Sequence, residues 1–255
     1  MESHLLLESH LKALRLPAFV QNYHRFAQDA IQTQQSYERF LLALAEQEVN
    51  QRELNRQRQC LKAARLPLLK ELADFDFSAI PNLNKQRVLD LARGEYIRQA
   101  LPLILVGNPG LGKTHIATGL AVAACRQGYR VRFYNTAALV NDLLQAQQQQ
   151  RLPKFLAMAL KHNLIVLDEL GFIPFSTAGA QLMFQFCSTL YERVALLVTT
   201  NLKFADWTQV FGSEQLTGAL LDRLTHRAHI IEFTGESFRF RQRLQQEDPK
   251  FQPSA

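Results

Sequence analysis

At 255 residues the chain can hold one large domain or two modest ones, and a segment of about 150 residues buries a core without disulfides or a structural metal. Apolar residues make up 47% and charged residues 20%, as in ordinary globular proteins. No 18 apolar residues run together and the Glu2- and Glu8-bearing start is not a signal peptide, which leads to the expectation of a cytoplasmic protein without membrane association.

The net charge of +6 favours a polyanionic partner, and its location matters more than its size. Residues 2–75 read as helical. Leu7, Leu11 and Leu14 form one apolar stripe, Leu16-Pro17 a break, and Phe19, Tyr23, Phe26 and Ala27 a second stripe. A third helix starts at Ser36, whose hydroxyl suits a cap, and runs through Tyr37, Phe40, Leu41 and Leu44. On its continuation Arg52, Arg56, Arg58, Lys62 and Arg65 face a single acid, Glu53. At about 100° per residue Arg52 and Arg56 share one face and Arg58, Lys62 and Arg65 another, so the segment is basic around much of its circumference. The short aromatic stretch DFDFSAIPNL from Asp74 reads as a linker.

Beyond it strands alternate with helices. Leu101–Val106, Val131–Tyr134, Leu164–Leu167, Ala195–Thr200 and His229–Phe233 read as five strands. Helices are expected from Lys113 to Arg126, from a Thr136 cap to the glutamines 147–150, over 176–192, and over 214–227. The alternation argues for a parallel sheet between helices.

Gly107, Asn108, Pro109, Gly110, Leu111, Gly112, Lys113 and Thr114 match G-x-x-x-x-G-K-[ST] in full, with His115 next. Glycines let successive N–H groups curl around an anion, and a helix opening at Gly112 turns its positive end to it. Lys113 adds a charge for the β- and γ-phosphates of ATP, and Thr114 an oxygen for Mg²⁺. Strand Leu164–Leu167 then ends in Asp168 and Glu169: the first to hold Mg²⁺ with Thr114, the second to orient the attacking water. Asn201, after the fourth strand, is placed to touch that water or the γ-phosphate. Cys60, Cys125 and Cys187 lack metal-ligand spacing, and His226 and His229 read as ordinary polar residues rather than zinc ligands.

The chain resembles the IstB helper ATPases of bacterial insertion sequences, AAA+ relatives of the helicase loader DnaC. The resemblance covers nearly the whole chain. It lies in KAARLPLLKELADFDF (62–77), GYRVRFYNTAALVNDL (128–143), DELGFIPF (168–175), ALLVTTN (195–201), VFGSEQLTGALLDRLTHRAH (210–229) and GESFR (235–239). It implies an AAA+ P-loop fold with a five-stranded parallel sheet, and a division into a helical DNA-binding and assembly domain (1–73), a linker (74–84) and an ATPase domain (85–255). It further implies that Asn201 is a sensor residue, that Arg223 or Arg227 is a finger reaching a neighbour's ATP, and that Arg239 is a second sensor. The implied function is a transposition helper that hydrolyses ATP, assembles as a homo-oligomer on double-stranded DNA and stimulates a partner transposase. Two other readings share the phosphate loop. A DnaC-type loader would grip a helicase with its N-terminal helices, and a small-molecule kinase would have no use for a basic helical appendage.

Overall fold

The computed structural model describes residues 2–235 and Ser237. They form helices α1 (Glu2–Ala13), α2 (Pro17–Gln32), α3 (Tyr37–Ala64), α4 (Lys85–Leu91) and α5 (Glu95–Arg98). There follow β1 (Leu103–Gly107), α6 (Lys113–Arg126), β2 (Val131–Asn135), α7 (Thr136–Gln148), α8 (Leu152–Ala159) and β3 (Leu164–Leu170). The remainder is α9 (Thr177–Leu190), β4 (Ala195–Thr200), α10 (Thr208–Phe211), α11 (Glu214–Thr225) and β5 (His229–Phe233). Among the described residues no helix is long and apolar enough to cross a membrane.

Two compact units divide the chain, Met1–Gln59 and Cys60–Ala255. In the first, Leu11, Tyr23 and Leu44 form a small core with Phe19, Val20 and Phe26 packed around it. Pro17 opens α2 at a position where no N–H is needed, and Ser36 Oγ accepts from Arg39 N at 3.3 Å to cap α3. The buried Glu48 carboxylate accepts from Ala18 N at 2.8 Å and from Arg52 Nε at 2.7 Å.

In the second unit all five strands run parallel in the order β2-β3-β4-β1-β5. Side chains alternate between the faces of a strand. Leu103, Leu105, Val166 and Leu197 therefore join one core with α6, while Ile104, Ile165, Leu167, Leu196 and Val198 join another with α7, α9 and α11. The chain leaves the adjacent strands β1 and β4 toward opposite sides of the sheet, so a crevice opens at their C-terminal ends.

Several boundaries depart from the sequence reading for local reasons. The helix after β2 is capped by Asn135, whose Oδ1 accepts from Ala138 N, and not by Thr136, whose hydroxyl instead donates to the Asp168 carbonyl at 2.7 Å. The third strand runs on to Leu170, with an irregular register against β4 between Leu167 and Leu170. The segment 74–83 is no free linker. Ile80 and Leu83 are 3% and 5% exposed in the core, and Phe75 and Phe77 pack on it. Its alternating aromatic and apolar residues are buried for the usual hydrophobic reason.

Candidate nucleotide site

β1 feeds the phosphate loop, and two of its glycines are there by geometric necessity. Gly107 has φ 151°, and a Cβ would collide with the Phe233 carbonyl; Gly112 has φ 80°, and a Cβ would lie 2.6 Å from the Phe75 ring. Gly112 is also the N-cap of α6, so the first N–H groups of that helix face the hollow of the loop. Lys113 is 8% exposed, and its Nζ donates to the carbonyls of Gly107 at 2.6 Å and Asn108 at 2.8 Å. Pro109 to His115 line a cavity of 610 Å³ together with Glu169, Phe172, Thr199, Thr200 and Asn201.

Asp168 is 6% exposed beneath that cavity. Its Oδ1 accepts from Thr114 Oγ1 at 3.0 Å and from Thr199 Oγ1 at 2.6 Å. Burial pushes its carboxyl above the ordinary range, against the lowering effect of the two hydroxyls and Lys113, and the charge of Glu169 adds to the rise. A buried carboxylate paired with a threonine hydroxyl is an all-oxygen donor set of the sort a hard dication takes, so Thr114 and Asp168 fit Mg²⁺.

Glu169 is exposed, in left-handed backbone at φ 59°. Its N–H donates to Thr199 Oγ1 at 2.9 Å, and its carboxylate Oε2 accepts from Asn135 Nδ2 at 3.0 Å. One threonine at the end of β4 thus orients both acids. Neither Thr199 nor Asn135 was singled out from sequence. The signal for Thr199 was two consecutive threonines closing an apolar strand. That for Asn135 was an asparagine ahead of a helix, whose amide remains free after its oxygen has capped.

The far wall of the cavity comes from Pro67, Leu68, Lys70, Asp74, Phe75 and Asp76. This strap is fixed to one face of α6. His115 Nε2 donates to the Glu71 carbonyl at 2.9 Å, the Arg126 guanidinium forks onto the Glu71 carboxylate, and a Cβ at Gly119 would lie 2.7 Å from Leu72 Cδ2. The Phe75 ring meets the His115 ring edge-on at 5.2 Å.

Arg223 and Arg227 are not at this cavity: they flank a hollow on the opposite edge of the sheet, before β5. α11 stops at Thr225, so Arg227 lies beyond the helix at φ 56°, with its side chain exposed. Arg223 is half-buried, donates to the Ala219 carbonyl at 2.8 Å and covers the Phe184 ring at 5.0 Å. Arg239 lies outside the described residues. His226 Nδ1 is 2.9 Å from the Tyr191 hydroxyl, and no group of three potential metal ligands occurs among the described residues. Burial pushes the Cys125 and Cys187 thiols up to about 12, which makes them poor nucleophiles.

The basic cluster splits in role. Arg52 ties Glu48 to the Arg15 carbonyl, the latter at 2.6 Å, and so holds the helices of the first unit together. Arg56 lies 3.9 Å from Glu53. Arg58 and Lys62 project into solvent from α3; Arg65 is exposed too, but lies past the helix end at φ 54°.

A family model described as IstB-like ATP binding protein matches residues 9–246. The chain is 34% identical to the insertion sequence IS21 putative ATP-binding protein of Pseudomonas aeruginosa, over 93% of this chain and 89% of that one. It is 32% identical to the corresponding IS5376 protein of Geobacillus stearothermophilus, over 94% and 96%. The solved DnaC helicase loader superposes with a TM-score of 0.50 at 21% identity, covering 59% of this chain and 88% of that one; this likeness concerns the AAA+ fold. The chain belongs to the family of IstB-like ATP-binding proteins of insertion sequences.

Proposed function

We propose that the protein hydrolyses ATP as the switch of a transposition helper that assembles on double-stranded DNA and stimulates a partner transposase. The observation that carries this reading is the division of catalytic groups between two edges of one sheet. The cavity holds Lys113, Thr114, Glu169 and Asn201 over the buried Asp168, yet no arginine lines it among the described residues. The opposite edge holds Arg223 and Arg227 with no phosphate loop. A γ-phosphoryl in transit gathers negative charge, and an arginine delivered by a neighbouring subunit offsets it, raising turnover by about 10³–10⁵. Arg227 suits that role better than Arg223, because Arg223 is already spent on Ala219 and Phe184.

Within one copy Lys113 would leave the Gly107 and Asn108 carbonyls for phosphate oxygens, and Glu169 would accept a proton from the water it orients. Mg²⁺, held by Thr114 and Asp168, would neutralise charge on the β- and γ-phosphates. The Asn201 amide would fix the water or the γ-phosphate from the β4 side. Arg58, Lys62 and Arg65, with Arg56 beside them, would supply phosphate contacts to DNA, which are blind to sequence and weaken with salt.

The test is particle mass by light scattering, using Glu169→Gln to suppress turnover, with duplex or single-stranded DNA and with or without ATP–Mg²⁺. A large particle formed only with duplex and ATP is the expected result, and its DNA affinity should fall steeply between 50 and 200 mM salt, by about 3-fold or more per phosphate contact. A monomer under all conditions would overturn the assembly mechanism.

A further inference from the structure

The hollow beside Arg223 and Arg227 has a volume of 320 Å³. Helices α5, α9 and α11 all end at its rim, where Ala100, Glu192 and Arg227 take left-handed angles of 51°, 58° and 56°. Three helix C-termini present carbonyl oxygens, so the hollow itself repels an isolated anion. Its walls include Leu101, Val194 and Leu196, which suit an apolar occupant. The arginines then stand at the edge of the hollow with their charge directed to something beyond it.

The other edge of the sheet carries a feature of matching chemistry. Phe172 and Ile173, on the loop from β3 to α9, are 67% and 53% exposed. The loop is held at both ends: Phe172 N donates to the Glu169 carbonyl at 3.3 Å, and Phe175 N to the Val210 carbonyl at 2.9 Å. Phe175 packs against Phe211, with ring centroids 5.3 Å apart, so the core is served and the two residues before Pro174 are left in water. Phe172 also lines the nucleotide cavity, three residues after Glu169.

These facts constrain one another. If Arg227 of one copy is to reach the γ-phosphate held by the next, its rim must meet the mouth of the cavity. Phe172 sits in that mouth, with Ile173 beside it. The concavity adjoining Arg227 is the 320 Å³ hollow. We propose that the Phe172–Ile173 loop of one copy seats in the hollow framed by Gln99–Pro102 and Tyr191–Val194 of the next copy, as the apolar anchor of a head-to-tail interface. Apolar side chains meet an apolar wall, while the arginines face Glu169 and the phosphates. The two surfaces lie on opposite edges of one molecule, so the contact is heterologous and propagates into a ring or a helix. The inference rests on the trans-arginine reading above and adds the surface that brings the arginine there.

Two populations test it, one carrying Ile173→Cys and the other Gln99→Cys, each with Glu169→Gln. They are mixed with duplex DNA and ATP–Mg²⁺ under mild oxidation. An inter-chain disulfide is expected in the mixture, absent with ADP and absent from either population alone. In parallel, Ile173→Asp should raise the protein concentration needed for assembly about tenfold. Its nucleotide affinity, measured on unassembled protein, should stay the same. Normal ATP-driven assembly with no such cross-link, and with Ile173→Asp indifferent, would overturn this interface and leave the trans-arginine reading standing. Absence of any ATP-dependent assembly in the unsubstituted protein would remove both.

Discussion

Lys113, Thr114, Asp168, Glu169 and Asn201 gather at the C-terminal edge of the sheet, where a 610 Å³ cavity has acids and an ammonium but no arginine among its described lining residues. At the other edge Arg223 and Arg227 flank a 320 Å³ hollow that has guanidiniums and no phosphate loop. Each edge lacks what the other holds. A parallel sheet keeps its two edges on opposite sides of one molecule, so the deficits cannot be made good within a copy. They can be made good between copies, and the protein then hydrolyses ATP efficiently only when assembled.

The largest expected effect breaks this division deliberately. Arg227→Ala should lower ATP turnover of the assembled protein by about 10³-fold with nucleotide affinity retained, and Glu169→Gln should do so through the other half of the site. Mixed in equal amounts, the two inactive variants should recover about a quarter of the normal rate, since some intact cavities then adjoin an intact arginine. Steady-state phosphate release from the mixture is the measurement. No recovery would mean that both groups serve the same copy.

A smaller effect sharpens the picture of the cavity edge alone. The Asn135 amide donates to Glu169 at 3.0 Å, which holds the carboxylate toward β2. Asn135→Ser keeps a capping oxygen for α7 but is too short to reach Glu169. Basal turnover without DNA should rise about fivefold, the equivalent of one hydrogen bond of about 1 kcal/mol. A fall would mean that Asn135 positions Glu169 for catalysis instead of restraining it. Thermal melting alongside checks that the helix cap has been preserved.

The cavity edge was largely legible in the sequence because its chemistry sits in short contiguous runs: eight residues of loop, two acids ending an apolar strand, one asparagine ending another. What escaped were groups whose role depends on register between strands. Thr199 touches Asp168 and Glu169 only because β3 and β4 pair as they do, and nothing in ALLVTTN names that partner. The strap 67–76 was read as the approach to a linker, since its leucines and aromatics have no period. Its place is set by Gly112 and Gly119 on α6, which leave room for Phe75 and Leu72. At the arginine edge the expected helix to residue 227 stops two residues early, and that difference frees Arg227 from the helix while Arg223 stays packed on it.

The smallest effect expected concerns the charge at the bottom of the cavity. Burial raises the Asp168 carboxyl above its ordinary value of 3.8, so the folded protein holds that proton more tightly than the unfolded chain does. The sign follows directly. The group costs nothing below 3.8, and its cost grows as pH rises through the raised value, reaching its full size at neutral pH, where a bound dication offsets it. Asp168→Asn keeps an oxygen to accept from Thr114 and Thr199 but removes the charge. Without nucleotide at pH 7 it should melt slightly higher than the unsubstituted protein, by about 1–3 °C. Below pH 4 the two should converge, and ATP–Mg²⁺ should raise the melting temperature of the unsubstituted protein far more than that of the variant. A variant that melts lower at pH 7 would show that the carboxylate is already compensated by its two threonines and Lys113, and that the dication is bound for chemistry alone.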